Sequence, residues 1–239
     1  IGLISADTGE AIEAGDVASL PLDRLPLVAR LVRHFGARGL DVRTESGSPV
    51  GAGIAGSSAL NIALVGALAA WTGRTLSDEE MLTVAMNVEA QVIGVPTGVQ
   101  DYRPALYGGV SAIELDASGV KRRPIGVDPE ELGRRLVLAY TGASRASGIN
   151  NWDVTQRRIQ GDPGVIAAFD GIRDAAAGVR QALEAADWPA VARHIGAEWH
   201  HRKALAPGVT TAEIDAMLEE ARLAGALAGK VCGAGGGGC

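Results

Sequence analysis

Residues 51–60 read GAGIAGSSAL, and the rest of the chain is best read outward from this stretch. It satisfies G-x-G-x-x-G, a dinucleotide-binding pattern, and also G-x-x-x-x-G followed by Ser57 and Ser58, a phosphate loop without its lysine. A dinucleotide site needs an acid closing a second strand about twenty residues further on. The acids at that distance, Asp78 and Glu79, open a helix instead. A Walker loop needs a lysine on the outer phosphates, yet position 57 is Ser and the lysines are Lys121, Lys203 and Lys230. A protein-kinase glycine loop requires an H-R-D-type catalytic loop downstream, and the sequence has none. A glycine-rich turn feeding a helix remains. Unpaired N–H groups and the positive end of the helix dipole make such a turn an anion site by default. From the residues alone, Ser57 and Ser58 are equally readable as helix N-caps, and the glycines as room for a buried helix to approach a neighbour.

The bulk composition narrows the field. The 239 residues are 47% hydrophobic and 21% charged, with a net charge of −6, an ordinary globular balance with length for one large domain or two small ones. Acidity and the shortness of the densest basic run, Lys121-Arg122-Arg123, argue against nucleic-acid binding. Cys232 and Cys239 give neither a disulfide framework nor metal spacing, which fits a reducing compartment. The apolar run from Ala59 to Trp71 is too short for a bilayer and is interrupted by Asn61. No signal-peptide pattern opens the sequence, so the expectation is a soluble, cytoplasmic protein. The start at Ile1 and the stop after a glycine run lead us to expect a fragment of a longer chain.

Periodicity and caps predict helices over 26–35, 58–71, 77–92, 149–160, 163–186, 188–205 and 211–228, with a short helix or linker after Asp128. Strands are expected at 40–44, 108–115, 119–125, 134–142 and 230–232, the second and third joined by a hairpin turn. Asp7-Thr8-Gly9 is a turn, and 94–101 (GVPTGVQD) is a loop. A domain boundary is expected between residues 128 and 129.

Two carboxylates give the glycine turn possible company. Glu89 lies on the predicted helix 77–92, and Asp101 follows twelve residues later. Phosphoryl transfer needs a ligand that holds Mg²⁺ on the phosphates and a carboxylate near the attacking hydroxyl. Ser58 with Glu89 would supply a hard-oxygen cation site completed by water and phosphate oxygens. A surface helix acid and a loop cap are the plainer readings of the same two residues.

Three ordered motifs go further. GAGIAGSSAL, the segment from Glu89 through GVPTGVQD to Gly108-Gly109, and the terminal KVCGAGGGGC resemble the second motif, catalytic loop and third motif of the GHMP small-molecule kinases. The stretch LVLAYTGASRASG (136–148) is similar to a T-G-x-x-R-x-S segment of the heptose-phosphate kinase branch. The resemblance implies an α+β, two-domain fold: an S5-like N-terminal α/β domain over 1–128 and a ferredoxin-like C-terminal domain over 129–239. It implies ATP and Mg²⁺ as cofactors and a small-molecule sugar or sugar phosphate as partner. Gly51, Ala52, Gly53, Ile54, Ala55, Gly56, Ser57 and Ser58 would wrap the ATP phosphates. Ser58 and Glu89 would hold Mg²⁺, and Asp101 would orient or deprotonate the substrate hydroxyl. Asp101, Tyr102, Arg145, Gly233, Gly235 and Gly236 would meet the substrate. A non-sugar alcohol as acceptor, or a silent nucleotide-binding regulator on the same fold, are the alternatives. Ala55 departs from the family, which usually has Gly there, and residues 1–48 show no match to its N-terminal motif.

Overall fold

The computed structural model describes residues 1–143 and 151–239 and divides into two compact units. The first comprises residues 1–50, 55–109 and 113–122, and the second residues 51–54, 110–112 and 123–239.

In the first unit, β1 (Gly2–Ser5) is the middle strand of a three-stranded sheet. It pairs antiparallel with β2 (Ala11–Glu13), Leu3 opposite Ile12, and parallel with β3 (Asp41–Thr44), Leu3 opposite Val42. β1 and β2 went unpredicted; β2 has only three residues, too few to show alternation. The turn at residues 6–8 between them is where Asp7-Thr8-Gly9 placed it.

Helix α1 (Pro26–Phe35) starts with proline in its first turn and stops at Gly36 in the left-handed conformation, as both residue types favour. It buries Leu31, Val32 and Phe35. Helix α2 (Gly56–Trp71) packs on α1 and on α3 (Asp78–Ile93). Leu3, Leu31, Val65, Leu82 and Tyr102 belong to one continuous core of this unit. α3 opens on a full capping box: the Ser77 N–H donates to Glu80 Oε2 at 2.7 Å, and the Glu80 N–H donates back to Ser77 Oγ at 3.4 Å. A short helix α4 (Tyr102–Tyr107) follows the loop after Gly94, ending the predicted loop where expected and adding an element that periodicity did not reveal.

β4 (Ser111–Asp116) and β5 (Gly119–Pro124) form the predicted hairpin. The longest segment of the second unit begins at Arg123. The reason is packing: Ile125 and Val127 join a cluster with Ala182, Leu183 and Val191.

The second unit carries α5 (Pro129–Gly133), α6 (Asn151–Ile159), α7 (Pro163–Glu184), α8 (Trp188–Lys203) and α9 (Ala212–Leu223). Side-chain caps start four of these: Asp128, Asp162, Asp187 and Thr211 each accept a backbone N–H of the first turn. α7 and α8 pack antiparallel. A Cβ on Gly171 would strike the His201 ring, and one on Gly178 the His194 ring, so the contact advances seven residues on one helix as it retreats seven on the other. His194 and His201 therefore lie half-buried on glycines rather than free at the surface; His200 is exposed.

Two expected strands are absent. Residues 134–142 and 230–232 form no ladder among the described residues, and Leu136, Val137 and Leu138 stand exposed. An apolar run signals burial against something, but a strand forms only where a neighbour completes its hydrogen bonds. No helix among the described residues is long and apolar enough to cross a membrane.

Candidate active site

The site is built first around helix α2. Its N-cap, Ala55, sits in the left-handed region at φ 60° and ψ 27°, and no side chain caps it. The amides of the first turn are therefore left to a ligand or solvent. Gly51 and Gly53 also have positive φ, at 75° and 78°, a conformation glycine adopts without strain. Ser57 and Ser58 occupy the second and third helical positions, so neither is the N-cap.

Glu89, on the fourth turn of α3, is 9% exposed and faces α2. Its Oε1 accepts from Ser57 Oγ at 2.9 Å. Its Oε2 accepts from Tyr102 Oη at 2.7 Å and from Asn61 Nδ2 at 3.4 Å. Asn61 is fully buried; its Nδ2 also donates to the Ala85 carbonyl at 2.8 Å, and its Oδ1 has no partner. Ser57 and Asn61 are four residues apart and share one helix face, which explains why both reach the same carboxylate. The serine that pairs with Glu89 is therefore Ser57. Ser58, expected in that place, is buried one step round the helix, beside the Tyr102 hydroxyl.

Tyr102 also differs from expectation. It is 1% exposed and belongs to the core, so its hydroxyl serves Glu89 rather than an open substrate face. Burial foremost, then the Glu89 carboxylate, raises its phenol well above the ordinary value, so it stays a neutral donor; the Thr97 and Ser58 hydroxyls oppose that shift. Asp101 is half-buried at the N-cap of α4, directly before Tyr102. The same turn is pinned by Arg103, 5% exposed, whose Nη1 donates to the Val99 carbonyl at 2.7 Å.

A hard cation fits this donor set. One carboxylate and a serine hydroxyl in contact with it are oxygen ligands of the type Mg²⁺ takes, with phosphate and water oxygens completing the shell; Asn61 turns its Nδ2, not its oxygen, toward Glu89. No cluster of three or more His, Cys, Asp or Glu exists among the described residues to make an all-protein cage.

In the second unit, residues 51–54 meet the terminal glycine run. The Cys239 N–H donates to the Ala52 carbonyl at 2.8 Å, and the Cys232 N–H to the Cys239 carbonyl at 2.8 Å. The Gly238 N–H donates to the Ala143 carbonyl at 3.1 Å and its carbonyl accepts from Thr141 at 2.9 Å. Glycine is required at 235 and 238: both have positive φ, and a Cβ would lie 2.0 Å from the Val209 carbonyl oxygen and 2.5 Å from that of Ala52. Gly233 is exposed and Gly236 half-buried, its N–H donating to the Val209 carbonyl at 3.1 Å. The base of this run is held by Glu198, 6% exposed, which pairs with Arg202 and, at 2.8 Å, with Lys230. Arg145 lies outside the described residues.

Sequence reasoning missed Asn61 and the Glu198–Lys230 pair. Asn61 had left one trace, a lone amide in an otherwise apolar helix; the pair left none, because its partners are thirty-two residues apart on different elements.

A glycine turn before an uncapped helix, packed on a helix that carries a buried acid, is an anion-binding arrangement of the kind small-molecule kinases use. The chain belongs to the GHMP kinase family: the GHMP kinases N terminal domain matches residues 24–109 and the GHMP kinases C terminal domain matches residues 179–239. It is similar to the D-glycero-alpha-D-manno-heptose 7-phosphate kinase of Campylobacter jejuni, 29% identical over 87% of this chain and 63% of that protein. It is also similar to the mevalonate kinase of Aeropyrum pernix, 31% identical over 90% of this chain and 65% of that protein. The chain thus spans less than two thirds of the length of either relative. Among solved structures, the D-glycero-D-manno-heptose 1-phosphate kinase of Bacteroides thetaiotaomicron superposes with a TM-score of 0.72 at 23% identity, covering 99% of this chain and 70% of that one.

Proposed function

We propose that this chain carries the catalytic residues of an ATP-dependent kinase that transfers the γ-phosphate to a hydroxyl of a sugar or sugar phosphate. The observation that carries this reading is the placement of Glu89. A buried carboxylate held by Ser57, Asn61 and Tyr102, next to an uncapped helix start and one residue away from Asp101 through Tyr102, is an arrangement phosphoryl transfer requires.

The amides at the start of α2 and of residues 51–54 take the phosphate oxygens, as unpaired N–H groups at a helix start do. Ser57 and Glu89 would hold Mg²⁺; the ion, when bound, neutralises charge building on the transferring phosphoryl. Asp101 accepts the proton of the substrate hydroxyl as that oxygen bonds to the γ-phosphorus and the bond to the β-phosphate oxygen breaks, releasing ADP. Localisation in the cytoplasm follows from where ATP and sugar phosphates are found, and belongs to the same proposal.

The similarity to the C. jejuni heptose kinase favours a sugar phosphate as acceptor. The similarity to the A. pernix mevalonate kinase favours a second reading, a non-sugar alcohol. A coupled ADP-release assay across sugars, sugar phosphates and mevalonate decides between them. Asp101→Asn should cut turnover about 10²–10⁴-fold, the usual worth of a general base, and leave ATP binding intact. Near-normal turnover in that variant removes Asp101 from its role, and tight nucleotide binding without turnover on any acceptor points to a regulator.

A further inference from the structure

We propose that Tyr102 is a positioning residue: its hydroxyl fixes the Glu89 carboxylate for cation binding and ties that carboxylate to Asp101. The inference rests on the kinase reading above and adds a residue to it.

Glu89 offers a buried charge that could turn about its own side-chain torsions. Three donors stop it, and they are unequal. Asn61 reaches Oε2 at 3.4 Å, the outer limit for a hydrogen bond, and its better bond goes to Ala85. Ser57 Oγ, at 2.9 Å from Oε1, is shared: its hydrogen goes to Glu89 while its lone pairs are open to a cation, so an arriving ion pulls on this bond. Tyr102, at 2.7 Å from Oε2, is the shortest bond of the three and competes with neither the backbone nor a phosphate. It is the one that persists when a cation arrives.

Tyr102 is rigid at both ends. Its ring is buried in the first core, and its backbone is the first residue of α4. The following residue, Arg103, is bonded to the Val99 carbonyl at 2.7 Å. A phenol so held has little rotamer freedom left to lose, which makes it a cheap and stiff support for a ligand. Asp101 is bonded to the same residue through one peptide. Displacing Glu89 by an ångström therefore pulls on the peptide that places Asp101, so the cation ligand and the proton acceptor share one anchor.

The test uses the purified full chain and Mn²⁺ in the presence of a non-hydrolysable ATP analogue; uptake is the loss of the free Mn²⁺ electron paramagnetic resonance signal beyond that caused by the analogue alone in a protein-free control. Tyr102→Phe keeps the ring and removes the donor; the Mn²⁺ dissociation constant should rise about 10-fold or more, the usual cost of losing a support behind a metal ligand. Tyr107→Phe, whose hydroxyl lies outside the cluster, should bind as the unmodified protein does. Unchanged Mn²⁺ affinity in a folded Tyr102→Phe protein overturns the proposal while Glu89→Gln still abolishes uptake. Wild-type affinity in Glu89→Gln, or no uptake by the unmodified protein, overturns the kinase reading itself. A second measurement needs no folded variant at position 102. The chain has 3 tyrosines, so in fluorotyrosine-labelled protein the Tyr102 resonance follows by elimination from Tyr107→Phe and Tyr140→Phe. Mg²⁺ added to the analogue complex should shift that resonance, and the shift should vanish in Glu89→Gln; a resonance blind to Mg²⁺ refutes the coupling.

Discussion

Replacing Ala55 by glycine should stabilise this protein slightly, although it deletes a side chain and adds freedom to the unfolded chain. Ala55 sits at φ 60° and ψ 27°, where a Cβ crowds the following carbonyl at a cost of about 1–2 kcal/mol. Glycine pays none of that. Against the gain stand about 0.4–1 kcal/mol of extra unfolded-state entropy. A half-buried methyl forfeits about 0.4 kcal/mol more, taking half the worth of a buried methyl-sized group. The central sum is a gain of about 0.5 kcal/mol, or about 1–2 °C in a chain of this size. Calorimetry or a dye-monitored melt reads it, with the circular-dichroism spectrum confirming an unchanged fold. The outcome also bears on function: the amides that face phosphate belong to the backbone, so affinity for an ATP analogue should hold or improve. A loss of more than about 1.4 kcal/mol would refute the reasoning, since it exceeds what the methyl and the entropy can remove together. It would mean that the methyl is packed in the folded protein, or that position 55 is not left-handed.

Other expectations follow from the same structure. Lys230→Ala removes the ammonium 2.8 Å from the buried Glu198 Oε2 and leaves Arg202 as the carboxylate's remaining counter-charge; the melting midpoint should fall by the equivalent of about 1–3 kcal/mol, and a midpoint within error of wild type would show the pair to be idle. The capping bonds from Ser77 hold the Glu80 carboxyl below its ordinary 4.5, so its contribution is present above that value and is lost as pH falls through the lower folded value. The protection of first-turn amides of α3 against hydrogen exchange, taken relative to the unfolded chain at the same pH, should therefore fall below about pH 4.5 in the wild type, and Glu80→Gln should remove that fall. Burial, then the neighbouring Cys239, raises the Cys232 thiol above its ordinary 9.0; its alkylation rate should still be climbing at pH 9, and a plateau below that pH would contradict the assignment.

Elements whose formation is decided within a few residues were legible. Pro26 and Gly36 bracket α1, the Ser77–Glu80 box starts α3, and the turn after Asp116 closes the β4–β5 hairpin; each is a local satisfaction of backbone groups and can be read from the residues that provide it. The same holds for the family, since three motifs in a fixed order are a property of the chain, not of its packing.

Tertiary structure decided the rest. α2 is apolar nearly all round, so its sequence states no preferred face; packing against α3 chose the face carrying Ser57 and Asn61, and so set Ser57 rather than Ser58 on Glu89. Tyr102 looked like a neighbour of the substrate because it follows Asp101, yet starting α4 turns its ring inward onto Glu89. Residues 134–142 read as a strand from composition alone, and no ladder forms there among the described residues. The sequence by itself determined where helices start and which chemistry is available. Which hydroxyl meets which carboxylate was left to packing, because a side chain's partner across 32 residues depends on the rotation of a whole helix, and no local group encodes that rotation.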